Sequence, residues 1–207
     1  MERRFFQIPV TVEKRADGST GITGYAAVFH RDGDDGTEFA LWDDLIEQIA
    51  PEAFTRALKE SHDVRALFNH DPSHVLGRSK AGTLRLSVDQ RGLKYDIDMP
   101  DTATGKDVAT SIQRGDITGS SFGFIPKAVE WKRDDNRKVD VRIIKDVDLL
   151  DVGPVTFPAY ESTTTGLRSL DYEFVKRSRD EWRKKLEKDR EAVEVRLRLL
   201  TLDELSV

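Results

Sequence analysis

From residue 84 to residue 99 the chain reads LRLSVDQRGLKYDIDM, and apolar side chains fall on every second position. Leu84, Leu86 and Val88 share one face, the chain turns through Asp89–Gly92, and Leu93, Tyr95, Ile97 and Met99 resume the pattern. A period of two is the signature of a strand with one face in a core, so this stretch predicts a β-hairpin. The segment AVEWKRDDNRKVDVRIIKDVDLL predicts a second pair of strands around a polar turn at Asp134–Lys138. Two short helices interrupt the strands. APEAFTRALKES opens on Pro51 and sets Phe54, Ala57 and Leu58 at helical spacing; TGKDVATSIQRG offers Val108, Ser111 and Ile112 as a face and Gly115 as a stop. The expectation is a strand-rich α+β domain, a partly closed β-barrel with helices around it.

Length then limits what can be added. A chain of 207 residues, 38% of them hydrophobic, buries one core with an element to spare. Beyond ESTTTG, which reads as a linker, Lys176–Leu200 turns helical, with Trp182, Leu186, Val193, Leu197 and Leu200 set among charges. That stretch carries a local charge of +4 and leaves −9 on the remainder, so the extension and the body are electrostatically opposite. The division expected is 1–165 for the domain and 166–207 for a charged amphipathic helical extension. With no cysteine, disulfides, thiolate metal sites and a cysteine nucleophile are excluded. The opening MERRFFQIPV lacks the apolar run of a signal peptide, and no window approaches 18 consecutive apolar residues. An intracellular setting without membrane contact follows as an expectation, and the net charge of −5 argues against a general nucleic-acid binder.

GDITGSSFGF, residues 115–124, is where chemistry can reside. If Ile117–Phe124 is extended, Ser120 lies with Phe122 and Phe124 on the core face, while Ser121 lies on the other face between Gly119 and Gly123. A hydroxyl between two residues without side chains sits in a notch open to a substrate backbone, which selects Ser121 as a nucleophile; the competing reading makes it a hydrogen-bonded residue at a bulge. A serine needs a base. Among four histidines, His30 and His62 have no distinctive setting and His74 falls within a turn, whereas alternation through Val64, Ala66 and Phe68 carries His70 to the rim of an apolar face just before Asp71-Pro72. A carboxylate must then orient the imidazole. In IIKDVDLLDVGPVTFPAY, Asp146 and Asp148 lie opposite Val147, Leu149 and Asp151, so Asp151 alone shares the apolar face, either paired with His70 or capping the Gly153-Pro154 turn.

The ordered set NHD, LGR, RGDI-G-SFGF and VTFPAY, spread from about Gly24 to Thr165, resembles the HK97-type prohead (capsid maturation) serine proteases of tailed bacteriophages. The resemblance implies a fold similar to the herpesvirus assembly proteases and a Ser-His-acid triad in which Ser121 and His70 match nucleophile and base. It also implies a substrate, the scaffolding segment of the major capsid protein, cut inside an immature capsid in the bacterial host cytoplasm, with no cofactor or metal. Self-association and self-cleavage are further partner expectations. One departure stands out: the family pattern reads Glu-Val-Ser where this chain has Asp151-Val152-Gly153. Aspartate is shorter by one methylene, so the strand must approach His70 more closely or the carboxylate must bridge through water. Oxyanion donors have no residue-type signature; amides near Gly77–Arg78 or just after Pro154 are the candidates.

Two alternatives remain. A non-enzymatic capsid assembly or scaffolding protein could keep this fold without the reaction. The terminal helix either packs its Trp182/Leu186 stripe on the body or tethers the protein, through its basic face, to an acidic capsid or scaffold surface.

Overall fold

The computed structural model describes residues 1–157 and 169–204. The chain divides into two compact units, Met1–Gly166 and Leu167–Val207. The first half of unit one runs β1 (Glu2–Phe6), β2 (Thr11–Lys14), β3 (Thr20–Val28), β4 (Glu38–Trp42), β5 (Leu45–Ile49), α1 (Thr55–Lys59), β6 (Arg65–Leu67) and β7 (Val75–Arg78). It continues through β8 (Leu84–Val88), β9 (Gly92–Asp98), α2 (Ala103–Arg114), β10 (Gly119–Asp134) and β11 (Val139–Val155). The second unit contains α3 (Ser169–Glu204). The ESTTTG stretch and the side chain of Leu200 lie outside the described residues. No described helix is long and apolar enough to cross a membrane.

Both expected hairpins form, β8–β9 around Asp89–Arg91 and β10–β11 around Asp134–Lys138. Helix α2 also follows its signals: the Thr102 hydroxyl accepts from the Gly105 N–H at its start, and Gly115 ends it at φ 81°, where a side chain would be strained. Helix α1 is shorter than Pro51 suggests. Residues 51–54 form turns, Phe54 is fully buried, and the helical segment begins only at Thr55.

The strand-rich α+β class holds, but the described strands close no barrel. They form a seven-stranded sheet, β1-β10-β11-β5-β4 with β6 on β11 and β7 on β6, and a separate four-stranded sheet, β2-β3-β9-β8. The chain leaves the first sheet for the second at Gln7–Val10, where Pro9 has no N–H to give a ladder. One apolar core draws on both: Ile22, Ala26, Leu93, Tyr95 and Ile97 from the smaller sheet, Phe122, Phe124, Ile144 and Val147 from the larger. Phe122 is its hub, 4.7 Å from Phe124, 5.5 Å from Phe54 and 6.5 Å from Phe6 between ring centroids.

Strand β11 organises the larger sheet by changing partners along its length. Asp140–Ile144 pairs in parallel with β5, and Asp151–Val152 pairs in parallel with β6. Strand β1, at one edge of this sheet, is tied across β10 to β11 and β5 by four buried charges. Arg142 on β11 binds both oxygens of Glu2, at 2.7 and 2.9 Å, and Arg4 reaches Glu47 on β5 at 3.0 Å. Two acids and two bases make the cluster neutral, which is the condition for burying it at tolerable cost. Burial alone would raise the Glu2 pKa, but the hydrogen bond from Arg142 and the charges of Arg4 and Arg142 bring it below its ordinary 4.5.

Candidate active site

The two serines of β10 have separate partners, as alternation requires. Ser120 and Tyr95 are completely buried, and their hydroxyls lie 2.7 Å apart in the core. Burial pushes the Tyr95 phenol well above its usual range, so it stays a neutral hydrogen-bonding group. Ser121 points to the other face. Its Oγ lies 2.6 Å from Nε2 of His70, and Nδ1 of the same ring makes a short hydrogen bond with Oδ1 of Asp151. Three residues 30 or more positions apart in sequence thus form one hydrogen-bonded chain.

Each arrives by a different local device. Ser121 and Asp151 come from paired strands, β10 and β11, with Ser121 opposite Gly153 and Gly123 opposite Asp151. His70 comes from the turn after β6, and its route differs from the expected one. Alternation does not carry it there, because the strand ends at Leu67, and Asn69 and His70 both adopt left-handed backbone angles, φ 54° and 58°. Consecutive left-handed residues turn the chain sharply back toward β11.

The glycines flanking Ser121 also serve a purpose other than an open notch. A Cβ on Gly119 would stand 2.1 Å from the Phe5 ring, and one on Gly123 would stand 2.3 Å from Oδ2 of Asp151. They make room for β1 and for the carboxylate. Ser121 is consequently only 3% exposed, and its Oγ also lies 2.8 Å from the Arg4 carbonyl. With the Nδ1 proton of His70 directed at Asp151, Nε2 carries a lone pair, so the single Ser121 proton has two acceptors in reach.

The Asp151 departure is resolved by close approach, without an intervening water. At Gly153, φ is 155°, and a Cβ there would stand 2.1 Å from the Leu67 carbonyl oxygen. The bare Cα lets the end of β6 approach β11, which brings the His70 turn to the shorter carboxylate. Alternation does not bring Asp151 to the site: pairing passes from Phe124–Leu149 to Gly123–Asp151, so a bulge at Leu150 turns Asp151 onto the Ser121 face and leaves Val152, with Val147 and Leu149, in the core. Asp146 and Asp148 bind Arg56 instead, receiving its Nε and Nη2 at 2.8 Å each. Lys127 and Arg56 hold the Asp148 carboxyl below its usual range. Of the amides considered as oxyanion donors, that of Arg78 donates to Thr83 Oγ1 and that of Thr156 to Asn69 Oδ1. Among the described residues no group of three or more His, Asp or Glu side chains is placed to hold a metal ion.

Sequence reasoning did not identify the contribution of β1. Phe5 and the Arg4 carbonyl carry no residue-type signal, since one fills a space by shape and the other is backbone; the only trace is that Gly119 and Gly123 demand some close neighbour.

Comparison with known proteins points the same way as the motifs. No curated protein sequence matches the chain. The solved capsid assembly protease of bacteriophage T4 has a similar fold, with a TM-score of 0.50 at 13% identity over 75% of this chain and 96% of that one. The model of the caudovirus prohead serine protease family matches residues 7–178, a span that includes His70, Ser121 and Asp151. By that match over most of its length, the chain belongs to the caudovirus prohead serine protease family.

Proposed function

We propose that the protein is a serine endopeptidase that releases the scaffolding segment of the major capsid protein inside the immature capsid, in the cytoplasm of the bacterial host. The observation that carries this reading is the continuous Ser121–His70–Asp151 hydrogen-bonded chain. His70 Nε2 takes the Ser121 proton as Oγ attacks the scissile carbonyl, then gives it to the leaving amine, and water repeats the cycle on the acyl-enzyme. Asp151 holds the imidazole in the tautomer that leaves Nε2 bare and stabilises the cation that forms. Residues 1–165 act as the protease domain and 166–207 as its helical extension. A relationship to the herpesvirus assembly proteases, self-association and self-cleavage belong to the same reading.

The rival, an assembly or scaffolding protein that keeps the fold without the reaction, has no need of a serine hydroxyl within 2.6 Å of an imidazole. Incubation with the cognate capsid precursor, followed by mass spectrometry, separates the two. The expected result is loss of the scaffolding segment at defined bonds, without added metal, and a fall of about 10⁴-fold or more in Ser121→Ala. An intact precursor with the unmodified protein would favour the scaffold, and cleavage by Ser121→Ala would remove the serine from the reaction.

A further inference from the structure

The turn that carries His70 is held by its neighbour rather than by His70 itself. Asn69 donates its backbone N–H to the Pro154 carbonyl at 3.1 Å. Its side chain makes a reciprocal pair with Thr156: Nδ2 donates to Thr156 Oγ1 at 3.1 Å, and Oδ1 accepts the Thr156 N–H at 2.8 Å. One of these bonds goes to the end of β11, the strand that also bears Asp151, and two go to Thr156, the residue immediately after it. The strand therefore fixes the base from two sides, through the carboxylate on the ring and through the amide on the adjacent backbone.

We infer that Asn69 and Thr156 form a positioning clamp for His70, with Asn69 setting the place and direction of the imidazole relative to Asp151 and Ser121. The inference rests on the triad reading above. Several features of the turn call for such a clamp. Two successive residues in the left-handed region favour no particular structure by themselves, and asparagine is among the few non-glycine residues that adopt it readily. The other bonds of the turn are internal to it: Asp71 N–H to the Phe68 carbonyl at 3.0 Å, Phe68 N–H to the His74 carbonyl at 3.1 Å, His74 N–H to the Asp71 carbonyl at 3.0 Å and Ser73 N–H to Asp71 Oδ1 at 2.8 Å. They keep its shape but do not attach it to the strand that holds the acid. Asn69 and Thr156 make that attachment, and they use both polar ends of one amide to do so, which fixes direction as well as distance. Neither side chain touches Ser121, so their action passes through His70.

The test uses full-length variants with a short peptide substrate. Asn69→Gly keeps the left-handed turn accessible and removes only the amide. Thr156→Val removes the hydroxyl acceptor and leaves the Thr156 N–H in place. A displacement of about 1 Å at a reacting group can cost about 100-fold in rate. The expected result is accordingly a fall in kcat of about tenfold or more for Asn69→Gly and a smaller fall for Thr156→Val, with KM and the thermal midpoint little changed. The downfield proton resonance of His70 Nδ1–H should broaden or shift in Asn69→Gly, and Asn69→Asp, which keeps the acceptor for Thr156, should recover part of the rate. An unchanged kcat, a rise in KM alone, or a rate loss that only follows unfolding at the assay temperature overturns the clamp. Ser121→Ala serves as the control: if it still cleaves, the triad reading fails and the clamp with it, whereas an inactive Ser121→Ala beside a fully active Asn69→Gly removes the clamp alone.

Discussion

Gly123 determines where the Asp151 carboxylate can lie. The space a side chain at 123 would fill is occupied by Oδ2, 2.3 Å from where a Cβ would stand, so Gly123→Ala must push the carboxylate away from His70. Displacement and loss of the orienting charge bracket the effect between about 10² and 10⁴-fold in kcat, measurable on a peptide substrate with folding checked by circular dichroism. Ser120→Ala provides the contrast. It leaves the buried Tyr95 hydroxyl without its partner, which costs about 1–3 kcal/mol of stability, while turnover persists because Ser120 faces the core. That division between the two serines was legible in the sequence, since strand alternation is a local rule and the phenylalanines marked the inner face. The purpose of the glycines was not legible. A glycine signals that something approaches closely but not what, and Phe5 and Asp151 reach Gly119 and Gly123 from distant parts of the chain.

Strand β1 brings the Arg4 carbonyl to Ser121, and the buried cluster of Glu2, Arg4, Glu47 and Arg142 holds that strand in place. Removing one member leaves an uncompensated charge in the interior. Arg142→Ala should therefore destabilise the protein by about 3–5 kcal/mol in urea unfolding, far more than loss of an exposed pair such as Lys106–Asp101. The pH dependence has a definite sign. Because the Glu2 carboxyl titrates below 4.5 in the folded state, its contribution is present above that value and disappears as pH falls through the folded pKa. Glu2→Gln should thus be less stable at neutral pH and lose less on acidification. Equal acid sensitivity in the two proteins would mean that other carboxylates govern acid unfolding. Hairpins such as β8–β9 were legible because their partners are adjacent in sequence. The pairing of β11 with β5 and then β6 was not, since periodicity identifies a strand without naming its neighbour across some 85 to 95 residues.

For the molecule as a whole, the open question is what the extension adds to catalysis. Every member of the hydrogen-bonded chain, and the Asn69–Thr156 pair beside it, lies in the first unit. Within α3, Val175 and Arg179 are buried, whereas Glu187–Leu197 is exposed throughout, with Val193, Val195 and Leu197 each more than half exposed. A chain ending at Leu186 keeps the buried Val175 and Arg179 and, among the side chains the structure describes, loses only exposed ones. It should fold and cleave a short peptide at a near-normal rate, because surface truncation removes little burial. If the basic stretch tethers the protein to an acidic capsid or scaffold surface, which would raise local concentration without touching the catalytic groups, the charge responsible lies in Lys176–Leu186, since Glu187–Val207 holds four Lys/Arg and six Asp/Glu; the variant to test is therefore the full chain with Arg183→Gln, Lys184→Gln and Lys185→Gln. That triple variant should process the assembled precursor more slowly than the unmodified chain, whereas the chain ending at Leu186, which keeps the basic stretch, should not. Raising the ionic strength should narrow the difference, because exposed charges are screened beyond about 8–10 Å at 0.1–0.15 M salt. Equal rates for the triple variant and the unmodified chain on the assembled precursor would show that the basic stretch of α3 does not tether the protein. A shortened chain that fails to fold would instead assign Glu187–Val207 a structural role.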